Sequence, residues 1–95
     1  MSELIEVKEE FIKYCLDEYY KYRPELPAWI IRSLDLVIKR LDDKKQRLLE
    51  LKHKHNSFRE SIIIEMRISE STYYRYQADI YEKAALGLGL TKKAS

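Results

Sequence analysis

The sequence predicts an all-α protein of four or five helices, and three observations lead to this fold class. Apolar residues recur every three or four positions through most of the chain, which is the spacing of one helix face. Glycine and proline number only two each, too few for a turn-rich β fold. The 95 residues are 45% hydrophobic, which is enough for one small core and too much for a disordered segment.

Two helices are expected in the first 41 residues. The first covers residues 3–22, which contain neither glycine nor proline. Its predicted apolar stripe is Leu4, Val7, Phe11, Cys15, Tyr19 and Tyr22, widened by Ile5, Ile12, Leu16 and Tyr20. Pro24 ends it, because proline disfavours helical geometry in the residue before it. Pro27 then suits the first turn of the second helix, where a missing N–H costs little, and this helix continues to Leu41.

The third and fourth helices follow from capping signals. Asp42 and Asp43 predict a break after the second helix, because aspartate caps the N-terminus of a new one. Ser57 and Glu60 have the S-x-x-E spacing of a capping box, which predicts a short fourth helix over residues 58–66.

A three-residue turn is expected next, ahead of the fifth helix. Ser69, the last residue of that turn, is predicted to cap a helix over residues 70–88. Gly87 and Gly89 are predicted to stop it, since glycine tolerates the left-handed conformation. Its inner face is predicted to hold Tyr73, Tyr76 or Gln77, Ile80 and Ala84.

The fourth and fifth helices together have the outline of a helix-turn-helix, whose second helix enters the DNA major groove. The N-terminal residues of that helix then face base edges, and an arginine fork there reads guanine. The candidate recognition helix covers about residues 70–86. The predicted base-reading residues are Glu70, Ser71, Thr72, Tyr74 and Arg75.

Charge divides the chain into an acidic first third and a basic middle. Residues 1–36 hold eight acids and five bases, whereas residues 37–67 hold nine bases and five acids. A solvated helix face would also be rich in charge, but beside a helix-turn-helix this pattern favours phosphate contacts. The predicted phosphate-binding residues are Lys54, His55, Ser57, Arg59 and Arg67.

The segment Ile68 to Arg75, ISESTYYR, resembles a run in small phage late-gene transcriptional regulators, the ArpU and RinA group, position by position. More broadly, residues 41–85 are similar to DNA-binding modules of the sigma-factor region-four type. The resemblance, which covers about residues 41–90, implies a sequence-specific transcriptional regulator encoded by a phage or mobile element. Its partners would be double-stranded promoter DNA and RNA polymerase.

Two positions depart from the related modules and leave a second function open. Ile63 stands where those modules carry a small residue, and Arg67 stands where they carry glycine in the turn. Together with Ile62 and Ile63, Ile64 also puts apolar surface on more than one side of a short helix. The alternative is a diverged module that binds a transcription factor or an RNA polymerase subunit. On the DNA-binding interpretation, residues 1–40 form an acidic helical interaction or support region, residues 41–90 the helix-turn-helix DNA-binding region and residues 91–95 a flexible tail. A homodimer through the N-terminal helices is also expected.

Other function classes find little support. The single cysteine, Cys15, cannot form an internal disulfide, which favours the reducing cytoplasm. No apolar run approaches the ~20 residues of a membrane span, so we expect no membrane partner. His53 and His55 lie on different helix faces without a completing ligand, which disfavours a metal site. We find no catalytic pattern or phosphate-binding glycine loop, and expect neither an enzyme nor a cofactor.

Overall fold

The computed structural model describes residues 2–90, with side chains from Glu9 onward, and this part of the chain is helical without any strand. The five α-helices are α1 (Ser2–Tyr19), α2 (Ala28–Arg40), α3 (Asp43–Leu49), α4 (Arg59–Met66) and α5 (Glu70–Gly87). A π-helical segment, Glu50–Lys54, continues α3 without a break. The predicted all-α fold is therefore confirmed. The predicted tail, residues 91–95, lies outside the described residues.

The first helix is shorter than predicted, and part of its predicted apolar stripe is exposed. It ends at Tyr19 because the buried Glu18 organises the following turn: its carbonyl accepts the Lys21 N–H at 3.0 Å and its carboxylate accepts the Glu25 N–H at 2.9 Å. The described core residues of α1 are Ile12, Cys15 and Leu16. Phe11 and Tyr22 were wrongly placed in the stripe, since they are 40% and 95% exposed. The side chains of Leu4 and Val7 lie outside the described residues.

The predicted break between α2 and α3 is confirmed. Leu41 has an extended backbone, and the Asp42 carboxylate caps α3 by accepting the Lys45 N–H at 2.9 Å. The Gln46 side chain donates to the carbonyls of Ile38 and Leu41, at 3.0 and 2.9 Å. These bonds satisfy groups that the broken helix would otherwise leave without partners.

One hydrophobic core joins the N-terminal and C-terminal parts of the chain. The fifth helix packs against α1, α2 and α3, so it lies at the centre of the fold. The predicted inner face of α5 is confirmed, because Tyr73, Ile80 and Ala84 are buried while Tyr76 and Gln77 are half-buried. The C-terminal two-thirds of α5 therefore supply most of its buried residues, and one side of its first turns is exposed to solvent.

The C-terminal end of α5 approaches α2 closely. A Cβ atom at Gly87 would lie 2.4 Å from Cγ2 of Val37, so only glycine fits against this neighbour without a shift. Gly89 adopts a left-handed φ of 73° just after the helix. The two glycines predicted to end α5 thus serve different purposes, a close helix contact and a turn. None of the helices described over residues 2–90 has the length and apolar character needed to cross a bilayer.

Candidate nucleic-acid interface

A tight three-residue turn sets the direction in which α5 leaves α4. Arg67 adopts the left-handed conformation, with φ 56° and ψ 47°. Its N–H donates to the carbonyl of Ile64 at 3.3 Å, and the N–H of Ile68 donates to that of Ile63 at 3.2 Å. This pair of bonds is the Schellman motif, which usually has glycine at the position of Arg67. The departure noted in the sequence therefore changes the residue and keeps the backbone geometry.

Ser69 caps α5, as predicted. Its hydroxyl oxygen accepts the Thr72 N–H at 3.1 Å and also lies 2.9 Å from the Thr72 hydroxyl. Because Thr72 is half-buried and its hydroxyl also accepts a bond from Arg75 at 3.4 Å, its side chain is engaged within its own helix. Of the predicted base-reading residues, Thr72 is thus the least available to a ligand.

The remaining four predicted base-reading residues lie exposed on the outward side of the first turns of α5. They are Glu70, Ser71, Tyr74 and Arg75. Among the described residues, no carboxylate lies within 4.0 Å of the Arg75 guanidinium, so most of its donors remain unsatisfied by protein. Arginine in this state offers a forked pair of N–H donors to a planar acceptor.

Arg59, the first residue of α4, is linked to this face. Its guanidinium donates to the Tyr74 hydroxyl and lies 5.7 Å from the centroid of the Tyr74 ring. The carboxylates of Glu60 and Glu70 lie 3.0 and 3.9 Å away. Arg59 is therefore partly neutralised, and it orients Tyr74 across the gap between the two helices.

The capping box predicted at Ser57 and Glu60 is wrong. Phe58 is the N-cap residue of α4 and provides no side-chain bond. The N–H of Ser57 donates to the carbonyl of Leu51 at 2.8 Å, which ties Ser57 to the end of the π-helical segment instead. The helix consequently begins at Arg59, and its first N–H groups have no capping side chain.

The predicted phosphate-binding residues fall at two places. Lys54, His55, Ser57 and Arg59 lie between the end of the π-helical segment and the start of α4, where all but the half-buried Ser57 are exposed. Arg67 lies exposed in the turn before α5. Both places precede the N-terminus of a helix, α4 or α5, where backbone N–H groups without an intrahelical partner are exposed to a ligand.

Ion pairs neutralise part of the basic middle segment. Lys45 lies 2.6 Å from Asp79 of α5, and Arg47 lies 2.6 Å from Glu65 of α4, so α3 is bridged to both helices. Over residues 9–90, five bases of the middle segment have no carboxylate within 4.0 Å: Arg40, Lys44, Lys52, Lys54 and Arg67. The positive charge available to a ligand is concentrated in these residues. Comparison with family models, with curated proteins and with solved structures finds no match to this chain.

A polar depression beside the loop was not predicted. It has a volume of about 260 Å³ and is lined by Lys13, Asp17, Lys52, His53, Asn56 and Ser57. The depression joins α1 to a segment more than 30 residues later, so no local sequence pattern indicates it. Ser57 alone belonged to the predicted phosphate-binding set.

His53 forms the buried wall of this depression. Its side chain is 3% exposed, and its Nδ1 lies 2.5 Å from the Asp17 carboxylate. Its Nε2 is buried without a hydrogen-bond partner among the described residues. Burial lowers the pKa of His53, and the bond to Asp17 only partly opposes this effect. The neutral ring therefore donates from Nδ1 to Asp17, which holds that carboxylate against the wall.

Proposed function

We propose that this protein is a sequence-specific DNA-binding transcriptional regulator, encoded by a phage or mobile element, with α5 in the major groove. The observation that carries the proposal is the exposed N-terminal face of α5, where Ser71 and Tyr74 lie beside Arg75, whose guanidinium has no carboxylate of residues 9–90 within 4.0 Å. A major groove admits one α-helix, and its base edges offer acceptors that an arginine fork matches.

The rigidity of the unit supports this proposal. Sequence readout needs side chains held in a fixed register, which requires a helix anchored by its supporting structure. The Schellman turn, the Ser69 cap and the buried Tyr73 and Ile80 anchor α5 on the side away from the exposed face. Arg59 extends this order to the base-reading candidate Tyr74.

The placement of free positive charge also supports DNA as the partner. Lys54 and Arg67 lie before and after α4, and no described carboxylate pairs with either. Phosphate contacts from such residues would position the protein on the duplex while α5 reads the sequence. Recruitment of RNA polymerase, and a homodimer through α1 and α2, complete the proposal; Trp29 and Leu36 are the most exposed large apolar residues of α2, at 52% and 58%.

A second candidate function, a module that binds a transcription factor or polymerase subunit, is favoured by a different observation. Phe58 and Ile64 of the α4 region are 78% and 76% exposed. Exposed aromatic and aliphatic side chains are typical anchors of protein interfaces, whereas a phosphate backbone gains nothing from them.

Selection of bound duplexes from a random library distinguishes the two candidates. If the protein binds DNA as proposed, we expect enrichment of a short common sequence, because base-edge contacts differ between base pairs. The matched control is Arg75→Ala, which removes the arginine fork from an exposed position and leaves the core intact. Enrichment that is absent for the wild type, or identical for the control, would exclude base reading by this face and leave the protein-binding candidate.

A further inference from the structure

The depression between α1 and the loop before α4 contains two lysines, Lys13 and Lys52. Over residues 9–90, no carboxylate lies within 4.0 Å of the ammonium group of Lys13 or Lys52. Asp17 also lines the depression, but its carboxylate is held by His53 Nδ1 at 2.5 Å. With His53 neutral, the lining residues carry a net charge of one positive unit.

Lys52 is held in place rather than free in solvent. It is half-buried, and its ammonium nitrogen lies 5.7 Å from the ring centroids of both Tyr73 and Tyr81. These rings stabilise the cation through their faces, yet they supply no hydrogen-bond acceptor along those faces. Lys13 is close enough to oppose the charge of Lys52, and burial together with Lys13 lowers the pKa of Lys52 to about 8.

The polar groups around these lysines are those that bind an oxyanion. Asn56 and Ser57 supply an amide and a hydroxyl at the rim, and Asn56 has a left-handed φ of 53°. The ring of His53 forms the buried wall beside them and serves as a reporter rather than a ligand, because its proton is on Nδ1, towards Asp17. Two neighbouring ammonium groups repel a metal ion. A phosphate group that accepts hydrogen bonds from both lysines would instead relieve the repulsion between the two ammonium groups.

We propose that the depression formed by Lys13, Lys52, Asn56 and Ser57 binds a phosphate group, and that the group belongs to the backbone of bound DNA. This inference rests on the proposed function and extends the interface beyond α4 and α5 to α1. Ser57 at the rim is two residues before Arg59 in the chain, and Arg59 contacts Tyr74 on the candidate base-reading face, so one short segment links the depression to that face. Inorganic phosphate shares the same chemistry and is the alternative source.

The first experiment measures the salt dependence of DNA binding. Each phosphate contact adds about 0.9 to the slope of log K against log salt, which is about 3.5-fold in affinity between 50 and 200 mM salt. Lys13→Met and Lys52→Met should each reduce the salt-induced loss by about this factor, equally on a selected duplex and on a scrambled one. Lys39→Met is the matched control, since Lys39 is exposed, pairs with Asp35 and does not line the depression. Slopes that match the control for both lysine variants would overturn the inference.

The second experiment uses inorganic phosphate and the protein without DNA. The ring signals of His53, followed by NMR, should shift saturably with phosphate and not with chloride at equal ionic strength, and the shift should be lost in Lys52→Met. No saturable shift together with unchanged salt slopes would refute the site. If phosphate saturates the wild type but no duplex is bound, the proposed function fails, and the backbone source of the phosphate is overturned with it.

Discussion

Lys52→Met should stabilise the protein at neutral pH, even though it removes a cation from the candidate interface. The lysine pKa falls from 10.5 to about 8 on folding, chiefly because of burial. That difference corresponds to ~3 kcal/mol of cost for keeping the charge at pH 7. The Tyr73 and Tyr81 rings offset part of it, by ~0.5–1 kcal/mol each. Methionine has a similar length and no charge, so the expected net gain is about 1–2 kcal/mol.

The pH dependence of this gain identifies its cause. Between pH 8 and 10.5 the unfolded lysine keeps its proton while the folded one has lost it, so the free energy of unfolding of the wild type rises with pH. Burial raises the pKa of the Cys15 thiol, which lowers stability above pH 9, but this effect is common to both proteins and cancels in their difference. The advantage of Lys52→Met should therefore fall from about 1–2 kcal/mol at pH 7 to near zero at about pH 9.5.

Urea unfolding followed by Trp29 fluorescence, at both pH values, measures these quantities. Lys39→Met is the control, because its ammonium is on a 73% exposed side chain and substitutions there stay within about 0.5 kcal/mol. A Lys52→Met protein that is less stable than the wild type at pH 7, or a difference that stays constant with pH, would show that burying the charged Lys52 ammonium does not destabilise the folded protein.

Three further predictions concern the fold. Gly87→Ala should destabilise the protein by about 1 kcal/mol, because the new Cβ would meet Val37 at 2.4 Å and overpacking outweighs the gain in helix propensity. In a Val37→Ala background, adding Gly87→Ala should cause no such loss in the free energy of unfolding, and a loss that persists there would contradict the contact. Arg67→Gly should stabilise by roughly 0.5–1 kcal/mol, since it relieves the left-handed φ of 56°, while Arg67→Ala should not; equal urea midpoints for the two would contradict this. Stability should fall between pH 7 and 5 because burial keeps the pKa of folded His53 below that of the unfolded chain, and the fall should shrink in His53→Gln; an unchanged urea midpoint difference would count against it.

Local sequence signals predicted most of the helices and the outward side of α5. The capping residues Asp42 and Ser69 act through neighbours within three positions, so their spacing alone indicates them. Ser57 misled because a second local partner, the carbonyl of Leu51, competes for its backbone N–H. Such a competition between alternative hydrogen bonds depends on where the preceding helix ends, which sequence spacing does not determine.

Contacts between distant segments could not be predicted. The Asp17–His53 pair joins residues 36 positions apart, and the Lys52 contacts with Tyr73 and Tyr81 depend on how the π-helical segment lies against α5. The exposure of Phe11 has the same origin, because the partner helices decide which of the apolar residues of α1 become buried. The depression is assembled entirely from these tertiary contacts, so only the structure reveals it.

The most direct test of base reading by α5 is the affinity of Arg75→Ala for a selected duplex and for a scrambled one. We expect Arg75→Ala to lose ~1–3 kcal/mol of binding free energy on the selected duplex only, with relaxed preference at one base pair. Lys54→Ala is the comparison variant, because an exposed lysine that contacts phosphate should weaken binding to both duplexes alike. If Arg75→Ala instead weakens both duplexes equally or leaves both unchanged, α5 does not read bases through Arg75 and the central claim is contradicted.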